Sequence, residues 1–163
     1  DVKGKRREKR IEKDDEQNIT LLDGEDVTEE IRTNQVSNNV SLVAKVAQVR
    51  RKLVELQQKM AQQGAIVMDG RDIGTVVLPK ADLKVFLTAS VEERTRRRYE
   101  DLKKQGEEVE FENLKQEIIR RDEIDQNREV SPLKKAQDAI EIDTTQLTID
   151  EVVDRILDFC QEV

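Results

Sequence analysis

Three features of the sequence predict an α/β fold. Short apolar runs of strand length lie at 65–68, 83–87 and 139–142. Stretches of helical periodicity separate them, and two open on capping signals, Ser90-Val91-Glu92-Glu93 and Thr148-Ile149-Asp150-Glu151. Strands that alternate with helices make α/β layers.

Residues 1–17 are dominated by Lys, Arg, Glu and Asp, so alone they read as a solvated edge or disordered segment. Ile19, Leu21, Leu22, Val27 and Ile31 flank Asp23-Gly24, which predicts a small hairpin turning there. From 37 to 63 the residues Val40, Val43, Val46, Val49, Leu53, Leu56 and Met60 recur at helical spacing until Gly64. One long helix or two abutting ones fit. Ala65, Ile66, Val67 and Met68 then read as a buried strand ending at the turn Asp69-Gly70. A strand at 83–87 leads into a helix carrying Arg94, Arg96, Arg97 and Arg98, which Gln105-Gly106 breaks. A further helix runs from 110 to about 127, with Phe111, Leu114, Ile118 and Ile119 on its apolar side. The last strand, 139–142, precedes a closing helix expected to bury Val152, Val153, Ile156, Leu157 and Cys160.

The chain is 163 residues, long enough for one domain with a real core. Charged residues are 40% of it and aromatics 2%, so that core must come from aliphatic side chains. A net charge of −7 argues against general nucleic-acid or anionic-membrane binding, while local arginine clusters still suit a small phosphate ligand. With no histidine, Ser-His-Asp, Cys-His and His-containing zinc chemistry are excluded. Cys160 is alone, which rules out an internal disulfide, and its helical pattern suggests a buried thiol. No apolar run reaches membrane-spanning length, the charged start is not a signal peptide, and the cytoplasm is the expected location.

The functional signal centres on Arg71 and Asp72, a cation beside a carboxylate just past a strand's carboxyl end, where open α/β sheets bind ligands. Arg121, Asp125 and Arg128 repeat the pairing at helical spacing, and Arg50 adds a further cation. Such pairs suit a nucleotide: guanidinium forks take phosphates, and carboxylates take ribose or base donors. Cytosine matches well, because its amino group donates to Asp while its ring acceptors take from Arg. The alternative is a surface ion pair at a turn, with arginines and glutamates laddering solvated helix faces.

The stretches VMDGRDIGTVVLP, LKVFLTASVEERTRRRYEDL and RRDEIDQNREVSPL, with LLDGEDVTEEIRT and VSNNVSLVAKV upstream, closely resemble the bacterial cytidylate kinase family. That family moves a phosphoryl group from ATP to CMP or dCMP. The resemblance implies a P-loop NTPase-like three-layer parallel sheet with helices on both faces, plus a small antiparallel monophosphate-binding insert. It implies that Arg50 and Asp72 read the cytosine, that Ser41, Arg121 and Asp125 hold the sugar, and that Arg71 and Arg128 bind the CMP phosphate. Arg94, Arg97 and Arg98 would belong to a lid, at about 94–128, that closes over the ATP phosphates, and Arg71, Arg97 and Arg128 would act in catalysis. ATP and Mg²⁺ are the implied donor and ion, and no protein metal site is expected. Residues 1–63 would form the insert and a following helical segment, and 64–163 the remaining core.

The departures are equally specific. None of the six glycines lies in the family's GxxxxGK[ST] loop, so the chain is expected to correspond to the later two-thirds of the enzyme. The strand before that loop would lie between the strand at 65–68 and the one at 83–87. Without it the 163-residue chain is expected to be a non-catalytic binding fragment, poorly folded or self-associated, where a complete chain would be monomeric. Asn34-Gln35 and Ala47-Gln48 stand where the family often carries proline, which puts helix breaks there in question.

Overall fold

The computed structural model describes residues 9–14, 17–62 and 64–161. The chain divides into two compact units, the first ending at Val40 and the second beginning at Ser41. The first is an antiparallel sheet of β1 (Lys9–Asp14), β2 (Gln17–Leu22) and β3 (Glu25–Asp26), in that order. The predicted hairpin is there: Asp23 and Gly24 both take positive φ, 56° and 87°, which is the twist a two-residue turn needs. The charged residues 9–14 form a strand that hydrophobic patterning did not reveal, pairing Lys9 with Leu22 and Asp14 with Gln17. It lies at the edge of the sheet, held by its backbone pairing with β2. Thr28 fastens the far side: its hydroxyl accepts from the Thr20 amide at 2.8 Å and donates to Asp26, whose carboxyl it holds below the usual range.

Two abutting helices follow, α1 (Asn34–Ala44) and α2 (Ala47–Ala61), so the break persists without proline. Val46, extended at ψ 112°, makes it. The predicted apolar stripe is exposed at Val40, Val43, Val46, Leu53, Leu56 and Met60, while α2 turns Arg50 inward. Gln58 donates to the Val77 carbonyl at 3.2 Å and ties α2 to the single π-helical turn Ile73–Val77.

The remaining elements are β4 (Val85–Thr88), α3 (Val91–Lys104), α4 (Phe111–Asn127), β5 (Ile140–Asp143) and α5 (Ile149–Cys160). Strands β4 and β5 pair in parallel, Val85 opposite Ile140 and Thr88 opposite Asp143, with α3 and α4 as the crossover. These two helices pack on each other through Leu102, which is 0% exposed, Leu114 and an edge-on Tyr99–Phe111 contact at 5.7 Å. Gly106, at φ 80°, ends α3 in the left-handed turn that glycine adopts readily. Thr148 opens α5 with a complete capping box; Ser90 supplies only half of one, because Glu93 turns to Arg96 and Arg97 while the Ser90 amide donates to Thr145.

Three expectations are corrected. Residues 65–68 form no strand, and Val67 is fully exposed, because no described strand lies beside them to complete their hydrogen bonds. The closing helix buries none of its residues: Leu157 is 53% exposed and Cys160 is exposed rather than buried, since a two-stranded sheet offers it little to cover. The core is thinner than length suggests, its buried aliphatic residues being Val77, Leu102, Leu114 and Ile142 among the described ones. No described helix is long and apolar enough to cross a membrane.

This uneven burial is measurable. Leu102→Ala should cost about 2 to 5 kcal/mol in urea unfolding, the range for an emptied core site, whereas Leu157→Ala should stay within about 1 kcal/mol. Comparable losses at both positions would show that α5 buries its apolar face in solution.

Candidate active site: a network of arginines and aspartates

The site grows from the π turn. The Asp72 carbonyl accepts from the Val76 and Val77 amides and from the Thr75 hydroxyl, which anchors the backbone under a carboxylate only 3% exposed. Single π turns are frequent at functional sites, and this one aims Asp72 at α2. There Arg50 grips it in a fork, Nε to Oδ2 at 3.0 Å and Nη2 to Oδ1. The fork uses two of the five Arg50 N–H hydrogens, leaving two on Nη1 and one on Nη2, and it leaves the carboxylate able to accept from further donors.

Arg128 links this pair to a second carboxylate. It follows α4 directly, and its terminal nitrogens lie 3.8 Å from Asp72 Oδ1 and from Asp125 Oδ1. Asp125, as buried as Asp72, accepts from Arg71 Nε at 3.1 Å. Arg128 is aimed by Ser131, whose carbonyl accepts from its Nε. Ser131 holds φ at 54°, uncommon for a residue with a side chain, so local strain is spent on pointing one guanidinium. Burial pulls the Arg128 guanidinium below its usual value, against the opposing pull of Asp72 and Asp125.

Beyond the network cations outnumber their partners. Burial and then the charge of Arg71 lower Arg121 from its usual value, and Arg98 adds to the repulsion while Asp125 and Asp122 resist it. Arg98 Nη2, Arg121 Nε and Arg128 Nη2 are buried donors with no hydrogen-bond acceptor among the described residues. A buried donor of this kind is costly unless an acceptor is supplied, and an anion supplies it best beside several positive charges. Among the described residues no group of three or more carboxylates and cysteines could hold a metal.

The structure therefore brings Arg50, Arg71, Asp72, Asp125 and Arg128 into one network with Arg98 and Arg121 beside it. Arg94 pairs with Asp122 at 2.7 Å. Arg97 is committed elsewhere, its Nε to Glu93 and its terminal nitrogens to Thr144 Oγ1 and the Thr144 carbonyl. Thr144 in turn donates to the Thr88 carbonyl, so Arg97 straps α3 to the ends of β4 and β5. Ser41 lies in α1 with its side chain outside the described part. Sequence reasoning missed Asp122, Thr144 and Ser131; of these only Ser131 gave a signal, as a turn residue before Pro132.

Two expectations follow. Arg50→Ala leaves Asp72 buried without its main partner and should cost about 3 to 5 kcal/mol, while Arg50→Met with Asp72→Leu should recover most of the loss; calorimetric melting of both variants checks this. Hydrogen bonds from Arg96 and then Arg97 hold the Glu93 carboxyl down to about 2, against an unfolded value of 4.5. Stability from Glu93 is thus complete above pH 4.5 and lost as pH falls through 2, so the Tm gap between the parent and Glu93→Gln should close across that window. A gap that is constant from pH 7 to 2 would rule out the linkage.

Comparison with known proteins fits this arrangement. The chain matches the cytidylate kinase family over residues 5–162. It is 59% identical over 144 residues to a cytidylate kinase of Bacillus velezensis, covering 88% of this chain and 64% of that protein. It is 56% identical over 142 residues to the Bacillus subtilis cytidylate kinase, covering 87% and 63%, and 59% identical over 133 residues to that of Enterococcus faecalis, covering 82% and 59%. The chain thus spans just under two thirds of the length of these curated relatives. With a family match over nearly its whole length and identities well above half, this chain belongs to the cytidylate kinase family, whose fold is that of the P-loop NTPases.

Proposed function

We propose that this chain is the CMP-binding and lid portion of a cytoplasmic enzyme that transfers the γ-phosphoryl group of ATP to CMP or dCMP. The carrying observation is the chain of alternating charge from Arg50 through Asp72, Arg128 and Asp125 to Arg71, flanked by the unpartnered donors of Arg98 and Arg121. Asp72 and Arg50, locked together, present acceptor and donor edges complementary to the amino group and ring acceptors of cytosine. Asp125 and Arg121 lie along α4 toward the sugar, with Ser41 as a further sugar contact. Arg71 and Arg128 take the monophosphate, and Arg94, Arg97 and Arg98 serve the donor phosphates. For Arg97 this role requires exchanging Glu93 and Thr144 for phosphate oxygens.

Catalysis by such a site is positioning plus charge neutralisation, with no protein nucleophile. A magnesium ion, if it accompanies the donor, would be carried mainly by phosphate oxygens, as is usual for Mg²⁺, and would supply charge neutralisation there. The three-layer parallel sheet of this reading has a strand between 65–69 and β4. The exposed Val67, and an edge of β4 with no partner strand among the described residues, support that. In the same reading 1–63 form the insert with its following helices and 64–163 the core with the lid at 94–128. Because no GxxxxGK[ST] pattern occurs in the 163 residues, the chain by itself is expected to bind CMP without turning it over.

Titration calorimetry with CMP and with pyrophosphate, beside a coupled kinase assay with Mg-ATP, tests the reading. Asp72→Ala should weaken CMP by about 1 to 3 kcal/mol and leave pyrophosphate nearly unchanged, since a base contact is what it removes. Arg128→Lys should weaken both ligands, because lysine keeps the charge and loses the fork. Equal losses for both ligands in Asp72→Ala would retire the base assignment, and a fully active short chain would overturn the fragment reading.

A further inference from the structure

We infer that Asp122 is a positioning residue that holds Arg94 in reserve and yields it to a ligand bearing linked phosphates. The inference rests on the nucleotide reading above and adds a determinant of which phosphate chain the site accepts. Arg94 and Arg98 lie one turn apart on the same face of α3. Arg98 has a buried Nη2 without an acceptor, and so has Nε of Arg121, the neighbour of Asp122 on α4. Arg94, one turn nearer the helix start, is diverted: Nη1 pairs with Asp122 Oδ2 at 2.7 Å and Nε donates to the Ala89 carbonyl.

The two kinds of ion pair differ in their surroundings. Arg50 and Asp72 are 7% and 3% exposed at their side chains, so their pair is fixed. Arg94 and Asp122 are 34% and 22% exposed, which leaves water and ligands able to compete. A polyphosphate drawn to the excess charge at Arg71, Arg98 and Arg121 would place further oxygens within a side chain's reach of Arg94. There a phosphate oxygen competes with Asp122 for the same guanidinium fork, and carries more charge. A single phosphate satisfied at Arg71 and Arg128 does not reach that far, so Asp122 should set the affinity for linked phosphates alone.

Calorimetric titration of the 163-residue chain with tripolyphosphate and with CMP, at several salt concentrations, tests this. Asp122→Asn should tighten tripolyphosphate about 3- to 10-fold, steepen its salt dependence, and leave CMP within about twofold. Asp122→Glu should restore the parent behaviour. Arg94→Gln should loosen tripolyphosphate only, and in that background Asp122→Asn should have little effect. Unchanged or looser tripolyphosphate binding in Asp122→Asn with an unaltered melting temperature would show that the pair merely pins α3 to α4, and would sink the proposal. If Asp122→Asn fails to fold, Arg94→Gln decides: an unaltered tripolyphosphate affinity is the overturning result. A parent chain that binds tripolyphosphate as described but never CMP would instead remove the cytidine reading and leave this inference standing.

Discussion

The buried fork between Arg50 and Asp72 is the constraint on which the rest of the site depends. Two charges taken out of water are tolerable only when their geometry is nearly ideal, so the fork fixes how α2 meets the π turn. Once that seam is set, Gln58 can reach the Val77 carbonyl and Arg71 is delivered to Asp125, 54 residues away in sequence. Arg128 then has two carboxylates to share, and its own loop bends through Ser131 to meet them. Together these contacts link α2, the π turn and the end of α4 through polar side chains, in a chain whose buried aliphatic core is thin.

What was legible in the sequence was local. Helix starts at Ser90 and Thr148, the stop at Gly106, and the turn at Asp23-Gly24 all depend on residues within a few positions of one another, and all are present. The pairing of opposite charges at 71–72 and 121–128 was also readable, although the partners proved to be crossed: Asp72 goes to Arg50 and Asp125 to Arg71. What failed was whatever needs a neighbour. The run at 65–68 has strand composition but no described strand to pair with, and β1 has a strand partner but no strand composition. Arg97 looked like its neighbours Arg94 and Arg98, and only the arrival of Thr144, 47 residues later, makes it a strap.

The two halves of the proposed function therefore differ in their physical basis. In that reading the cytosine and monophosphate contacts belong to a network already ion-paired among its own members, with Arg128 Nη2 left for an incoming acceptor, so little ordering should accompany their use. In that reading the donor-phosphate contacts belong to side chains that either keep a buried donor without an acceptor, as at Arg98, or are engaged elsewhere, as at Arg94 and Arg97. Such a division places preorganisation on the acceptor side and rearrangement on the donor side.

The pairing of α3 with α4 has a mechanical consequence. Tyr99 against Phe111, Lys115 with Glu92 and Arg94 with Asp122 tie the two helices together, so a rigid tilt would move them as one lever. Both ends that join the sheet and site, Val91 and Asn127, lie at its base, and the turn at Gln105-Gly106 is its tip. At 1.5 Å per residue Arg98 and Arg121 sit about 10 Å up the lever and the tip about 20 Å. A tilt of about 10° would carry the tip roughly 3.5 Å and these two guanidiniums by half as much, while Arg128 at the pivot scarcely moves. Arg98 and Arg121 would then advance together and in register, so such a tilt would change their distance to a bound nucleotide without changing their spacing from each other.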